Sequence, residues 1–177
     1  MNLLQRGTRW LWLTVIVLVL DQWSKVWAAE ALPFGTLIEV MPHFDLKLAH
    51  NYGAAFSIFA DAGGWQQYGL SIFAVLVSLV LLVWLYRIAA TEKLLSVALS
   101  LILSGALGNA YDRIAYGYVI DFIDWYLSKD GYHWPTFNIA DVAIFIGAGL
   151  LILEGFVNPE SNQKEPNKNP AASTVND

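Results

Sequence analysis

The sequence predicts a mainly α membrane protein: a bundle of four transmembrane helices with a small sheet at one membrane face. Three observations carry this. Of 177 residues, 56% are hydrophobic and only 14% charged, whereas a water-soluble domain carries about 25% charged residues, so the surplus apolar surface must face lipid or a partner. The apolar residues fall into four blocks, each close to the roughly 17–25 residues that a helix needs to cross a hydrocarbon core of about 30 Å. The acidic residues gather beside one set of block ends.

The first span covers residues 10–29, nearly unbroken hydrocarbon from Trp10 to Leu20 and then interrupted by Asp21 and Lys25. Arg6 and Arg9 before it and Ala29-Glu30-Ala31 after it imitate a secretory leader. Asp21 and Lys25 are out of place in a cleaved segment, and three more spans follow, so this one is expected to remain as an anchor. Phe44-Asp45-Leu46-Lys47-Leu48 then alternates apolar and charged, the period of a half-buried strand, with Asn51-Tyr52-Gly53 supplying turn residues. The second span, 67–87, lies in the charge-free interval between Asp61 and Arg87, and the third, 94–111, between Lys93 and Asp112, ending in the small residues Gly105-Ala106-Leu107-Gly108-Asn109-Ala110. Val119-Ile120-Asp121-Phe122-Ile123-Asp124-Trp125-Tyr126 reads as an apolar limb with Asp121 and Asp124 on one side, and Lys129-Asp130-Gly131 turns it back. Trp125, Tyr126, Tyr132 and Trp134 suit anchoring at a membrane interface. The fourth span, 139–157, holds Asp141 near its start and Glu154 near its end. Residues 1–157 are thus one membrane-embedded domain. Residues 158–177, with Pro159, Pro166, Pro170, five Asn and no aromatic residue, cannot bury a core and are expected to form a disordered tail.

Four spans place both termini on one side. With termini inside, inner segments hold Arg6, Arg9, Arg87, Lys93, Lys164 and Lys168 against four outer cations, the bias of a cytoplasmic face. Ten of the fifteen acidic residues then lie at the outer face. The net charge of −5 excludes a nucleic-acid surface, which needs clustered Lys and Arg. The absence of cysteine excludes disulfides, thiolate metal sites and a cysteine nucleophile. His43, His50 and His133 lack the spacing of a zinc protease and read as surface or interface residues.

Polar groups at membrane depth are costly, and here they form four sets: Asp21-Gln22-x-x-Lys25; Asn51-x-Gly53-Ala54-Ala55-Phe56-Ser57; Gly108-Asn109-x-x-Asp112-Arg113 with Asp121; and Asn138-Ile139-Ala140-Asp141. Each also has a structural reading. Asp21 and Lys25 are spaced as an i,i+4 ion pair, and Gly105 and Gly108 permit close helix packing. Asn138 is a good N-cap with Asp141 at the third helical position, and Asp112 and Arg113 read as an interfacial charge pair. The catalytic reading is a pair of carboxylates sharing a proton, one deprotonating water while the other protonates the attacked carbonyl. It requires no metal and no cofactor. The residues alone leave Asp21, Asp112, Asp121, Asp124 and Asp141 as candidates; Asp121 and Asp141 are favoured because they sit on opposite limbs of one excursion, with Asp124 competing. A Ser57–Lys25 dyad is a weaker alternative. The rival function is a small proton- or ion-coupled transporter, which expects acids near mid-bilayer and broken helices.

Taken together and in order, Asp21-Gln22-Trp23-Ser24-Lys25, Asn51-Tyr52-Gly53-Ala54-Ala55-Phe56-Ser57, Gly105 through Arg113 to Asp121-Phe122, and Phe137-Asn138-Ile139-Ala140-Asp141 resemble the motif set of bacterial lipoprotein signal peptidase, signal peptidase II. The resemblance implies an aspartic endopeptidase of the bacterial cytoplasmic (inner) membrane that removes signal peptides from diacylglyceryl-modified prolipoproteins, cutting just before the lipid-modified cysteine. It places the catalytic dyad on Asp121 and Asp141, substrate-binding or dyad-supporting residues on Asn51, Gly53, Asn109, Arg113 and Asn138, and structural polar residues on Asp21, Lys25 and Asp112. It implies a four-helix bundle with an outer β-cradle and a helix lying on the surface. The expected partners are the prolipoprotein substrate and membrane lipid, with the chain acting as a monomer. Ser104 stands where the family commonly has Gly, and Val142 where a small hydroxyl residue often follows the catalytic Asp.

Overall fold

The computed structural model of the chain describes residues 5–53 and 65–158. Four long apolar helices dominate it: α1 Leu11–Ala31, preceded by a short 3-10 turn, α2 Trp65–Arg87, α3 Lys93–Tyr116 and α4 Ile139–Val157. All four are long and apolar enough to cross a membrane. α3 is the hub. About two-thirds of its most apolar stretch is buried, against about a fifth in each of the other three, because small residues let its neighbours approach. A Cβ at Gly105 would collide with the Ala140 carbonyl of α4, and one at Gly147 would sit 2.8 Å from the Ala98 carbonyl of α3. Leu81 and Leu85 of α2, with Ile88 just beyond it, close the other side against Leu95, Leu99 and Leu103. The outward faces, such as Val15, Val19, Ile72, Leu79, Phe145 and Phe156, are exposed, as lipid contact requires.

α3 continues five residues past the expected end at 111, since Asp112 is fully buried and ion-paired to Lys25. It stops at Gly117, in the left-handed conformation (φ 82°), whose N–H donates to the Arg113 carbonyl.

At one end of the bundle sits a three-stranded antiparallel sheet in the order β1-β2-β3, with β1 Ile38–Met41, β2 Phe44–Asn51 and β3 Val119–Trp125. The alternation at Phe44-Asp45-Leu46-Lys47-Leu48 does mark a strand, yet Asp45 is buried while Phe44 and Leu46 are only half-buried. A one-residue bulge follows: Leu46 pairs with Ile123, but Ala49, not Leu48, pairs with Asp121. The bulge turns Leu48 into a cluster with Ala28 of α1, its C-cap residue Leu32, and Ile120 and Phe122 of β3, fastening the sheet to the bundle. Beyond β3, Gly131 donates to the Ser128 carbonyl, so the chain reverses at Lys129-Asp130-Gly131 as expected. No surface helix is present among the described residues. Residues 54–64, with Ala54, Ala55, Phe56 and Ser57 of the second motif, and residues 159–177 of the expected tail lie outside them.

Candidate active site

Three asparagines meet at the sheet end of the bundle, and each has its amide orientation fixed by a group that can only donate. The Lys25 ammonium donates to Asn109 Oδ1 at 3.0 Å, so the Asn109 NH2 must point the other way, to Asp141 Oδ1 at 2.8 Å. The Asp141 backbone N–H donates to Asn138 Oδ1 at 3.0 Å, turning the Asn138 NH2 onto Asp121 Oδ1 at 2.6 Å. The Gly53 N–H donates to Asn51 Oδ1 at 3.0 Å, turning the Asn51 NH2 onto Asp121 Oδ2 at 3.1 Å. The Asn138 backbone N–H completes the set by donating to Asp141 Oδ2 at 3.2 Å. Every oxygen of Asp121 and Asp141 therefore accepts one hydrogen bond from an amide.

This arrangement follows from local structure. Asn138 and Asp141 form a capping box at the N-terminus of α4, so the helix start itself holds the Asp141 carboxyl. Asp121 projects from β3 and Asn51 from the end of β2, adjacent strands joined through the Asn51–Val119 and Ala49–Asp121 pairs. Asn138 touches both carboxyls, which brings the two limbs of the excursion together. Among the described residues, neither carboxyl has a cation within ion-pair distance.

Beside this pair lies a second cluster. Lys25 Nζ spends its other two donors on Asp21 Oδ2 at 2.9 Å and Asp112 Oδ2 at 3.0 Å, and Gln22 bridges the same acids at 3.1 and 2.9 Å. Asp21 Oδ1 accepts from the Ala140 N–H at 2.8 Å and Asp112 Oδ2 from the Ile120 N–H at 3.1 Å, fixing the entries to α4 and β3. Gly108 makes room, since a Cβ there would lie 2.5 Å from Asp21 Oδ2. Arg113 spans outward, donating to the Gly53 carbonyl at 2.8 Å and the Asn109 carbonyl at 3.2 Å. Its Nε is buried without a partner.

Asp121 lies on the sheet, outside the helices, and its carboxyl is pushed up to about 7. Burial is the main cause and the nearby Asp141 charge the second, opposed by the hydrogen bonds from Asn51 and Asn138. A carboxyl poised there holds or yields a proton near neutral pH, as acid–base chemistry on a water requires. A cavity of about 450 Å³ lies between α2 and α3, lined by Gln67, Ser71, Ile72, Val75 and Leu76 and sharing Arg113 with the site.

The family model of signal peptidase II matches residues 13–157, a span that contains every residue of both clusters. The chain belongs to the signal peptidase II family. It is 46% identical to a lipoprotein signal peptidase from Alteromonas mediterranea, over 97% of this chain and 93% of that one. It is 49% identical to the Serratia proteamaculans enzyme of the same name, over 86% and 89%. A solved bacterial membrane enzyme, 31% identical, superposes with a TM-score of 0.74 over 88% of this chain and 92% of that one.

The family is one of aspartic endopeptidases, and the residues that the motifs of signal peptidase II pick out converge here. Asn51, Gly53, Asn109, Arg113 and Asn138 adjoin Asp121 and Asp141, while Asp21, Lys25 and Asp112 form the neighbouring cluster. Ser104 is buried and donates to the Leu101 carbonyl, and the Val142 N–H continues the helix from the Asn138 carbonyl; neither substitution disturbs the geometry. Four expectations need correction. Asp121 and Asp124 do not share a side: three residues apart in a strand they face oppositely, and Asp124 meets His133 at 2.6 Å. Asp112 pairs with Lys25 rather than with Arg113. Tyr126 is buried and stacks on His133 rather than anchoring at an interface. Lys25 has all three donors engaged and no free lone pair to act as a base, while its supposed partner Ser57 lies outside the described residues. Gln22, quoted in the first polar set, was given no role there, and the Ala140 and Ile120 amides escaped the sequence reading; Gln22 beside Asp21 was the one visible signal. Asp121 lies on β3 and Asp141 in the first turn of α4, beside the sheet, and the four helices are unbroken among the described residues, unlike a mid-bilayer relay.

Proposed function

We propose that this signal peptidase II removes the signal peptide from diacylglyceryl-modified prolipoproteins, cutting just before the lipid-modified cysteine, with Asp121 and Asp141 as the catalytic dyad. One carboxylate takes a proton from water as its oxygen attacks the scissile carbonyl; the other carboxyl gives its proton to the carbonyl oxygen. Collapse of the tetrahedral intermediate then returns a proton to the departing amine. The observation that carries this reading is that one residue, Asn138, holds both carboxyls while, among the described residues, no cation lies within ion-pair distance of either. Asn51 and Asn109 orient the dyad, Gly53 shapes the Asn51 turn and Arg113 braces it. Asp21, Lys25 and Asp112 serve as framework. The cavity beside Arg113 suits an apolar substrate segment.

In this reading residues 1–157 are the catalytic domain, acting as a monomer in the inner membrane. Both termini are cytoplasmic, and the dyad lies near the outer face, where the lipid-modified cysteine sits. The chemistry draws on no cofactor. Asp121→Asn and Asp141→Asn are each expected to lower cleavage of a diacylglyceryl-modified precursor in detergent by about 10²–10⁴-fold, while Asp124→Asn keeps measurable turnover. Wild-type activity in either dyad variant overturns the assignment. Because the dyad works with one proton, activity should fall as pH rises above about 7.

A further inference from the structure

We propose that His133 is a positioning residue of the dyad: paired with Asp124, it pins the strap of residues 126–137 onto the sheet and thereby sets where Asn138 meets Asp121 and Asp141. The proposal rests on the dyad reading above. The strap joins β3, which carries Asp121, to α4, which carries Asp141, and Asn138 is its exit. Backbone bonds fasten it: Trp134 donates to the Trp125 carbonyl at 2.8 Å, and Phe137 and Ile123 exchange bonds at 3.1 and 2.9 Å. Between these lies one side-chain fastening, His133 Nδ1 to Asp124 Oδ2 at 2.6 Å, with Asp124 almost fully buried. The His133 ring stacks on Tyr126 with centroids 4.9 Å apart, and Nε2 lies 3.2 Å from the Lys129 carbonyl.

The fastening depends on charge because of what lies under it. Glu39, Asp45 and Asp124 stand opposite one another across β1, β2 and β3, and like charges in such a row repel. The strap answers with cations four residues apart: Lys129 pairs with Glu39 and His133 with Asp124. Asp45, between them, is 2% exposed and its Oδ1 has no hydrogen-bond partner among the described residues. His43 faces the same place from the β1–β2 turn, at the Tyr126 carbonyl. A neutral His133 thus leaves Asp45 and Asp124 opposed beneath the strap. The Asp124 hydrogen bond raises the His133 pKa, with the Lys129 carbonyl acting in the same direction. For a histidine raised on folding, the stabilisation is complete below its ordinary 6.5 and is lost as pH rises through the raised value.

The test measures kcat and KM of the purified full chain on a diacylglyceryl-modified precursor, from about pH 5.5 to 8.5, for wild type, His133→Gln, His133→Lys and Asp124→Asn, each scaled to its folded fraction. At low pH, His133→Gln and Asp124→Asn should lower kcat about 5–20-fold with KM within about twofold, less than the ~10²-fold that a fully misplaced group costs. The gap between wild type and His133→Gln should narrow as pH rises and the wild-type ring loses its charge. His133→Lys, which keeps the charge, should retain most of the low-pH kcat. A wild-type kcat in His133→Gln, or a ratio constant across pH, overturns the proposal. Amide hydrogen exchange at Asn138 gives a readout free of turnover: it should quicken in His133→Gln, and unchanged protection also overturns the pin. If wild type itself fails to cleave the precursor, the dyad reading fails while the exchange measurement still decides the pin.

Discussion

Two pairs of carboxylates lie side by side at the sheet end of the bundle, and they differ in what faces them. Asp21 and Asp112 share the Lys25 ammonium, directly and at ion-pair distance. Asp121 and Asp141 receive only amide N–H groups. The first pair is charge-compensated and holds helix ends in place. The second is held in position without being neutralised, so a proton on it remains negotiable. The two are linked by Asn109, whose oxygen takes a Lys25 proton while its nitrogen faces Asp141. Framework and reactive pair thus differ first in their donors: Asp121 is as buried as Asp21 and Asp112, all at most 1% exposed, while Asp141 is half-buried.

The largest expected effect comes from breaking the framework. Lys25→Met strands two buried carboxylates and frees Asn109 to flip, and should cost about 3–5 kcal/mol of stability, read as loss of the folded fraction in detergent melts. Adding Asp21→Asn and Asp112→Asn should recover much of it, since a whole buried ionic group is replaced at far lower cost than half of one. A Lys25→Met protein that melts with wild type would erase the distinction between the clusters.

The dyad should answer in the opposite direction. Asp121 rises from 3.8 to about 7 on folding, so the native state binds more protons than the unfolded chain between those values, and stability falls as pH climbs through them. That displacement corresponds to about 4 kcal/mol. Asp121→Asn removes it, but the amide keeps one accepting oxygen, so one of the bonds from Asn51 and Asn138 is lost and that donor faces an NH2, a cost of about 2 kcal/mol. The net expectation is an inactive protein about 2 kcal/mol more stable than wild type above about pH 8, with the gain shrinking to nothing or reversing below about pH 4. Equal melting at all pH values would mean that Asp121 is not displaced.

How much of this was legible beforehand depends on range. The helices were readable because lipid imposes long apolar runs, and Asn138 with Asp141 was readable as a cap because a capping box is local. The sidedness of Asp121 and Asp124 was misread because a three-residue spacing joins faces in a helix and separates them in a strand. The β2 bulge left no trace in composition, so neither the burial of Asp45 nor its place beside Asp124 was visible. Asp112 sits beside Arg113 in sequence but bonds Lys25, since consecutive helical residues point apart. The convergence of Asn51, Asn109 and Asn138 from three separate elements appeared only as motif resemblance, and its reason, three amides each fixed by an obligate donor, required the assembled fold.

The smallest effect sharpens the comparison most narrowly. Gln22 does for the framework what Asn138 does for the dyad: one residue spans two carboxylates, Gln22 with its side-chain NH2 alone, Asn138 with its side-chain NH2 on Asp121 and its backbone N–H on Asp141. Gln22→Leu removes two donors from acids that Lys25 still neutralises, so the expected loss is about 1–2 kcal/mol, with kcat unchanged within about twofold once scaled to folded protein. Asn138→Leu keeps the backbone N–H on Asp141 but removes the side-chain bond to Asp121, leaving Asn51 as its donor, and the cap on the Asp141 N–H. It should therefore lose turnover well beyond its loss in stability. Measured side by side by melting and precursor cleavage, the pair separates an amide that stabilises from one that positions reacting groups. Equal kcat losses in both would place Gln22 and the Lys25 cluster inside the catalytic machinery.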